Sequence, residues 1–169
     1  MCEICDGKTY EEVHERQAER IAEHGYAIQP VGDGPDDPNA WAYTMGLLDI
    51  ADHPEMIVTG MLNTGLVVLS ALAEGVLDGD EVFLGDIIHT PFGHARIEPV
   101  HKVHYEINTF NSWHSLKESG AIDADELIAL EIVMPGHRGP TLANPHSRLG
   151  GPQPNRAERR RRNRQRHTR

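Results

Sequence analysis

Apolar positions recur at helical spacing in three segments of the chain, which predict helices at 9–24, 64–77 and 111–119. The inner face of the first helix is thin and is formed by Val13, Gln17, Ala18 and Ile21. Thr9 followed by Glu12 is a capping-box pattern, in which side chain and backbone satisfy each other's exposed groups. Gly25 suits the left-handed residue that ends a helix. The second helix has a broader apolar face, and Gly120 ends the third.

Six further segments have the pattern of strands: 26–31, 41–47, 56–61, 82–89, 95–107 and 127–134. In the second of these, Trp41, Tyr43 and Met45 alternate onto one face. The run 56–61 is apolar throughout, as a central strand would be. Helices and strands do not alternate regularly, which favours an α+β domain with a largely antiparallel or mixed sheet and two to three helices.

Composition divides the chain into three parts: an acidic α+β domain at 1–134, a Pro/Gly-rich linker at 135–155, and an Arg-rich tail at 156–169 that we expect to be disordered. The longest apolar run is too short for a membrane span, so we expect no membrane partner. The first residues contain no apolar stretch of the signal-peptide kind, which favours a cytoplasmic protein.

Charge is distributed very unevenly. Eight arginines and a single acid, Glu158, give the tail a charge of about +7, whereas the whole chain is at −10, so residues 1–155 carry −17. The guanidinium fork pairs with phosphate oxygens at two points, so the tail predicts salt-sensitive, sequence-independent contact with the RNA or DNA backbone. The residues assigned to this contact are Arg159, Arg160, Arg161, Arg162, Arg164 and Arg166. Alternatively, the tail folds back on the acidic body or is a solvated terminus.

Cys2 and Cys5 could supply two thiolates to a zinc ion, with His14 on the following helix as a third ligand. The alternative is an N-terminal segment with incidental thiols, because no second cysteine pair is present. Four more histidines occur in the β-rich stretch, namely His89, His94, His101 and His104. For these, solvated or hydrogen-bonded side chains are the simpler interpretation.

His53 and Glu55 flank Pro54 in a predicted turn, where an imidazole and a carboxylate could act as acid and base. Tyr43 and Thr44 on the neighbouring strand could line the same cleft. The structural alternative is a turn fixed by Pro54, in which Glu55 caps the next element. The chain contains no GxSxG elbow, phosphate-binding glycine loop or HExxH motif.

The stretches WAYTMGL and HPEMIVTGM resemble a bacterial family described as domain of unknown function 4262, and MCEICD and HGYAIQPV are similar to its N-terminal region. The residues that carry the resemblance are Trp41, Tyr43, Thr44, Gly46, His53, Pro54 and Glu55. The similarity covers about 1–134 and leaves out the linker and tail. It implies a small intracellular α+β domain and brings no reaction, cofactor or catalytic residue.

Three functions are compatible with these patterns. The first is a binding or regulatory domain that recognises a protein or small ligand and is tethered to nucleic acid by its tail. The second is a small metal-assisted enzyme that uses Cys2, Cys5 and histidines, or acid–base residues around His53 and Glu55. The third is a structural or assembly protein. We favour the binding domain, because no constellation has the spacing that a known reaction demands.

Overall fold

A computed structural model of the protein describes residues 9–32, 37–106, 108–137, 141–147 and 149. The helices are α1 (Tyr10–His24), α2 (Leu47–Ala51), α3 (Leu62–Leu77), α4 (Val103–Glu106) and α5 (Asn111–Glu118), with a 3-10 turn at Asn108–Phe110. The strands are β1 (Ala27–Val31), β2 (Trp41–Met45), β3 (Glu55–Thr59), β4 (Ile87–Thr90), β5 (Gly93–Pro99) and β6 (Ala129–Val133).

The strands form one six-stranded sheet in the order β1-β2-β3-β6-β5-β4. All neighbours are antiparallel except β3 and β6, which run parallel at the centre of the sheet. A mixed sheet with helices on its faces confirms the predicted α+β class. The predicted helices match α1, α3 and α5, and the described part of the chain adds α2 and α4, whose few residues give too short a pattern to detect.

Two apolar cores lie on opposite faces of the sheet. On one face, α3 packs Leu69 and Ala73 against Met56, Val58 and Ile132. On the other face, Ile21 of α1 and Trp113 and Leu116 of α5 pack against Tyr43 and Ile57. Trp41, Tyr43 and Met45 all pack in the core on this second face, so their predicted alternation onto one face of the strand is confirmed.

The predicted strand at 95–107 is wrong beyond Pro99. After this proline, which cannot donate a ladder hydrogen bond, the chain turns and residues 103–106 form α4. The predicted strand at 82–89 begins later, at Ile87. The segment before it is a turn in which the Phe83 N–H donates to the Asp86 carboxylate at 2.8 Å.

Part of the predicted linker packs on the second face of the sheet. Leu142 is fully buried in the core there, and its carbonyl accepts a hydrogen bond from the His101 N–H at 2.8 Å. His104 Nε2 lies 3.0 Å from the Asn144 carbonyl oxygen. Residues 141–147 therefore belong to the packed body. Residues 156–169, the predicted disordered tail, lie outside the described residues.

Candidate functional site

Glu55 is fully buried, as is its neighbour across the sheet, Thr44. One carboxylate oxygen of Glu55 accepts the Thr44 hydroxyl at 2.7 Å, and the other accepts backbone N–H groups from Gly46 at 2.8 Å and Leu48 at 3.4 Å. Burial raises the pKa of Glu55, and these hydrogen bonds act in the opposite direction. Glu55 thus caps the N-terminus of α2, the element before it, whereas the structural alternative had it capping the next one.

His53 is also buried, and both of its ring nitrogens face backbone groups. Nε2 accepts a hydrogen bond from the Val82 N–H at 3.2 Å, so this nitrogen carries no proton. Nδ1 lies 2.7 Å from the Pro54 carbonyl oxygen and donates to it. The imidazole therefore ties the turn before β3 to the loop that leads into β4.

Tyr43 points away from Thr44, because neighbouring residues of a strand face opposite sides of the sheet. Its ring packs edge-on against Phe110 at 4.9 Å, and its hydroxyl accepts the Ser112 N–H at 3.1 Å. Burial raises the pKa of Tyr43 to about 12. The structure thus joins Thr44 to Glu55 but directs Tyr43 to α5 and His53 to Val82. A catalytic role for the four residues stays a prediction, and each already has a structural one.

The predicted zinc ligands are described only in part. His14 is half-buried on α1, with its ring 6.5 Å from that of Tyr10, whereas Cys2 and Cys5 lie outside the described residues. Within the described ranges, no group of three or more His, Cys, Asp or Glu side chains is arranged to hold a metal ion. The zinc site therefore stays a prediction.

The other predicted histidines are dispersed. His89 and His94 are cross-strand partners in the β4–β5 hairpin, with ring centroids 4.2 Å apart. His101 Nδ1 accepts the Val103 N–H at 3.3 Å. His104 is fully buried on α4.

Sequence reasoning missed Glu131, a buried carboxylate in the middle of β6. It accepts the Thr59 hydroxyl at 3.0 Å and the Leu142 N–H at 2.6 Å. Burial is the main cause that raises its pKa to about 7. A single carboxylate inside the apolar run LIALEIVM was the available signal, because an acid in a central strand needs partners.

An apolar surface runs along the β4 edge of the sheet. Of the nine exposed large hydrophobic residues in the described part of the chain, four lie between positions 83 and 92. They are Phe83, Leu84, Ile87 and Phe92, and we call them the apolar edge. Within the described residues, β4 pairs only with β5, so its outer side is open. An exposed apolar group at an open strand edge is typical of an interaction surface.

The comparisons with known proteins give a family and nothing finer. A family model described as "Domain of unknown function (DUF4262)" matches residues 20–139. The match begins later than the expected 1–134 and leaves the arginine tail outside. The comparisons with curated proteins and with solved structures gave no match. Among the helices that the structure describes, none combines the length and apolar character that crossing a membrane requires.

Proposed function

The chain belongs to the DUF4262 family, whose description names no activity, and we propose that the domain is a non-enzymatic binding module that adds an extended, basic and apolar segment of a partner protein to strand β4. The observation that carries this proposal is the apolar edge on an open strand. The hydrogen-bonded acid–base candidates described above support binding over catalysis, since each already has a protein partner.

The backbone of β4 provides the first part of the recognition. In an antiparallel pair, alternate residues direct their N–H and C=O groups away from the neighbouring strand. An extended peptide can pair with these groups, and its side chains then alternate between the two faces of the enlarged sheet. Two backbone hydrogen bonds attach the preceding turn to β5. The Gly85 N–H donates to the Ile97 carbonyl, and the Ile97 N–H donates to the Asp86 carbonyl, each at 2.9 Å.

The charge around the edge selects the partner. Asp78, Asp80 and Glu81 are exposed in the segment of the chain that precedes Phe83, and Asp86 is half-buried and precedes Ile87. No lysine or arginine occurs between Arg20 and Arg96, and the Arg96 guanidinium, across from Ile87 on β5, lies 3.7 Å from the Glu98 carboxylate. An acidic rim favours a basic partner and disfavours edge-to-edge pairing with a second copy, which would bring like charges together. The chain's own tail is basic but has no large apolar side chain to cover the edge.

The test uses an alternating lysine–valine peptide and the full-length protein. We expect saturable amide shifts in NMR that concentrate on β4 and the preceding turn. A glutamate–valine peptide of equal length tests charge, and a lysine–valine peptide with a central proline tests strand formation, because proline removes a ladder donor.

Ile87→Ser should weaken binding, whereas Val67→Ser on α3 should not. The two side chains are comparably exposed, at 63% for Ile87 and 53% for Val67. Equal binding of all three peptides, or equal loss in both variants, would refute strand addition at β4. Absence of saturable binding by the lysine–valine peptide would do the same.

The tail supports a second function, tethering to the phosphate backbone of RNA or DNA through Arg159, Arg160, Arg161, Arg162, Arg164 and Arg166. Its charge of about +7 within an otherwise acidic chain favours this proposal. If all seven net charges contact duplex phosphates, the logarithm of the binding constant falls with the logarithm of salt concentration at a slope of about −6. Replacing the six arginines with glutamine in the full-length chain should abolish the mobility shift. Retention of the shift at both low and moderate salt would reject tethering.

A further inference from the structure

A pocket of about 360 Å³ lies on the sheet face that is opposite α3, at the β4–β5–β6 end. Ile87 and Arg96 are cross-strand partners that form one wall. Val133 and Pro135 form a second wall, and His94 and His137 complete the lining of the pocket. The volume falls in the range of small-molecule sites, which is about 300–1,000 Å³.

A tight turn after β6 shapes one side of the pocket. The His137 N–H donates to the Met134 carbonyl at 3.1 Å, and Gly136 has a φ of 76°. Proline followed by a left-handed glycine is the sequence of a type II turn, in which glycine supplies the positive φ. Pro135 packs closely on the hairpin, because a Cβ on Gly93 would lie only 3.2 Å from the Pro135 Cγ. The turn therefore fixes the backbone of His137 beside the pocket.

Each polar side chain that lines the pocket can donate a hydrogen bond to an anion. Arg96 is permanently charged, and His94 and His137 contribute imidazoles, whereas none of the described residues that line the pocket is an acid. The Glu98 carboxylate lies 3.7 Å from the Arg96 guanidinium, but Glu98 is not part of the pocket wall. A donor-lined pocket in a body that carries −17 is a local exception to the charge of the domain.

His137 also has an unpaired polar atom. Its Nε2 is buried and has no hydrogen-bond partner in the described part of the chain. Buried polar atoms in folded proteins are nearly always paired, so an unpaired one calls for a ligand, a water molecule or a local rearrangement.

The geometry points to a site for a small organic anion, whose oxyanion head binds between Arg96, His94 and His137 while its apolar body lies against Ile87, Val133 and Pro135. A carboxylate and a phosphate monoester share this chemistry, since both offer oxygens to the guanidinium fork. The apolar side chains of the wall favour an anion with an apolar body over a bare inorganic ion.

The experiment is an NMR titration of the full-length protein with benzoate, phenyl phosphate and neutral benzyl alcohol. We expect saturable shifts at β5 and at the turn after β6, with a dissociation constant of about 1 mM or lower for at least one anion. The anion with the lower dissociation constant identifies the preferred head group. Benzyl alcohol should not saturate, because it has the ring without the charge.

Arg96→Gln should weaken binding of the preferred anion by about tenfold to hundredfold, the loss of a charge-assisted pair. Arg20→Gln, at an exposed position on α1, is the matched control and should leave binding unchanged. If neither anion saturates, if benzyl alcohol binds equally well, or if Arg96→Gln binds as the unaltered protein does, the site is rejected. Binding of the lysine–valine peptide should survive Arg96→Gln, so failure of this inference is distinguishable from failure of strand addition.

Discussion

The Thr59 hydroxyl donates to the Glu131 carboxylate at 3.0 Å, across the only parallel pair of strands in the described sheet. The second carboxylate oxygen accepts the Leu142 N–H. One buried side chain thus joins β3, β6 and the segment 141–147. The charge of Glu98 raises the pKa of Glu131 further.

The first prediction concerns the pH dependence of stability. Burial raises the pKa of Glu131 from 4.5 to about 7, so the folded state binds this proton more tightly than the unfolded state. Its stabilising contribution is complete below about pH 4.5 and is lost as pH rises through about 7. Relative to Glu131→Gln, the unaltered protein should lose up to about 3 kcal/mol in free energy of unfolding between about pH 5 and pH 8.

Urea unfolding of both proteins at several pH values measures this difference. Glu55 contributes with the same sign, because burial also raises its pKa, but it is present in both proteins and its effect is removed by the comparison. Parallel stability curves across this pH window would show that Glu131 titrates as an ordinary carboxylate.

The second prediction concerns Glu55 as a cap. Glu55→Ala leaves the Thr44 hydroxyl and the Gly46 N–H without their carboxylate, so we expect a loss of about 2–4 kcal/mol in free energy of unfolding. Glu55→Gln retains an acceptor and should lose less. Glu15→Ala, at an exposed position on α1, is the control and should stay within about 0.5 kcal/mol. Unchanged stability of Glu55→Ala would remove the structural role and strengthen an acid–base one.

The third prediction concerns the protonation of His53. Because Nε2 accepts the Val82 N–H, the ring should be the neutral tautomer with its proton on Nδ1, which nitrogen-15 NMR of the imidazole can detect. His53→Ala should lower the free energy of unfolding by about 1–3 kcal/mol, since it leaves a buried N–H unpaired. His24→Ala, at an exposed side chain, should have little effect. An Nε2-protonated ring would contradict the arrangement.

The fourth prediction concerns the contact between α3 and β3. A Cβ on Gly65 would lie 2.8 Å from the Val58 Cγ1, in a fully packed core. Gly65→Ala should therefore destabilise the protein by about 1–3 kcal/mol, despite the better helix propensity of alanine. Gly75→Ala in the same helix meets the flexible end of Asp80 and should be neutral or stabilising by up to about 1 kcal/mol.

A double-mutant cycle with Val58→Ala separates crowding from a general helix effect. The two substitutions should couple favourably, because the smaller side chain at position 58 makes room for the new methyl group. Additive losses would show that the close approach is not the cause.

Local patterns in the sequence predict the fold well. The capping box of α1 is confirmed, with the Glu12 N–H donating to the Thr9 hydroxyl at 3.2 Å and the Thr9 N–H donating to the Glu12 carboxylate at 2.8 Å. Both partners lie within one helical turn, so the sequence shows them together. The same holds for Gly25, whose φ is 82°.

Partners that are distant in the chain could not be predicted. Because Glu55 is near His53 in the chain, the sequence predicts that the two residues form an acid–base pair. In the structure, the His53 ring instead accepts a hydrogen bond from the Val82 N–H, on a loop beyond α3. The partners of Glu131 come from β3 and from a segment that composition assigns to a linker. These contacts depend on the order of the strands in the sheet, which periodicity does not encode.

The burial of Leu142 determines how far the chain can be shortened from its C-terminal end. The family match ends at residue 139, before the N–H that satisfies Glu131 and the carbonyl that satisfies His101. A chain shortened to that boundary would leave a carboxylate in the sheet facing an uncovered core. We therefore expect the folding unit to extend beyond the family match, so expression of the domain alone should extend through residue 147.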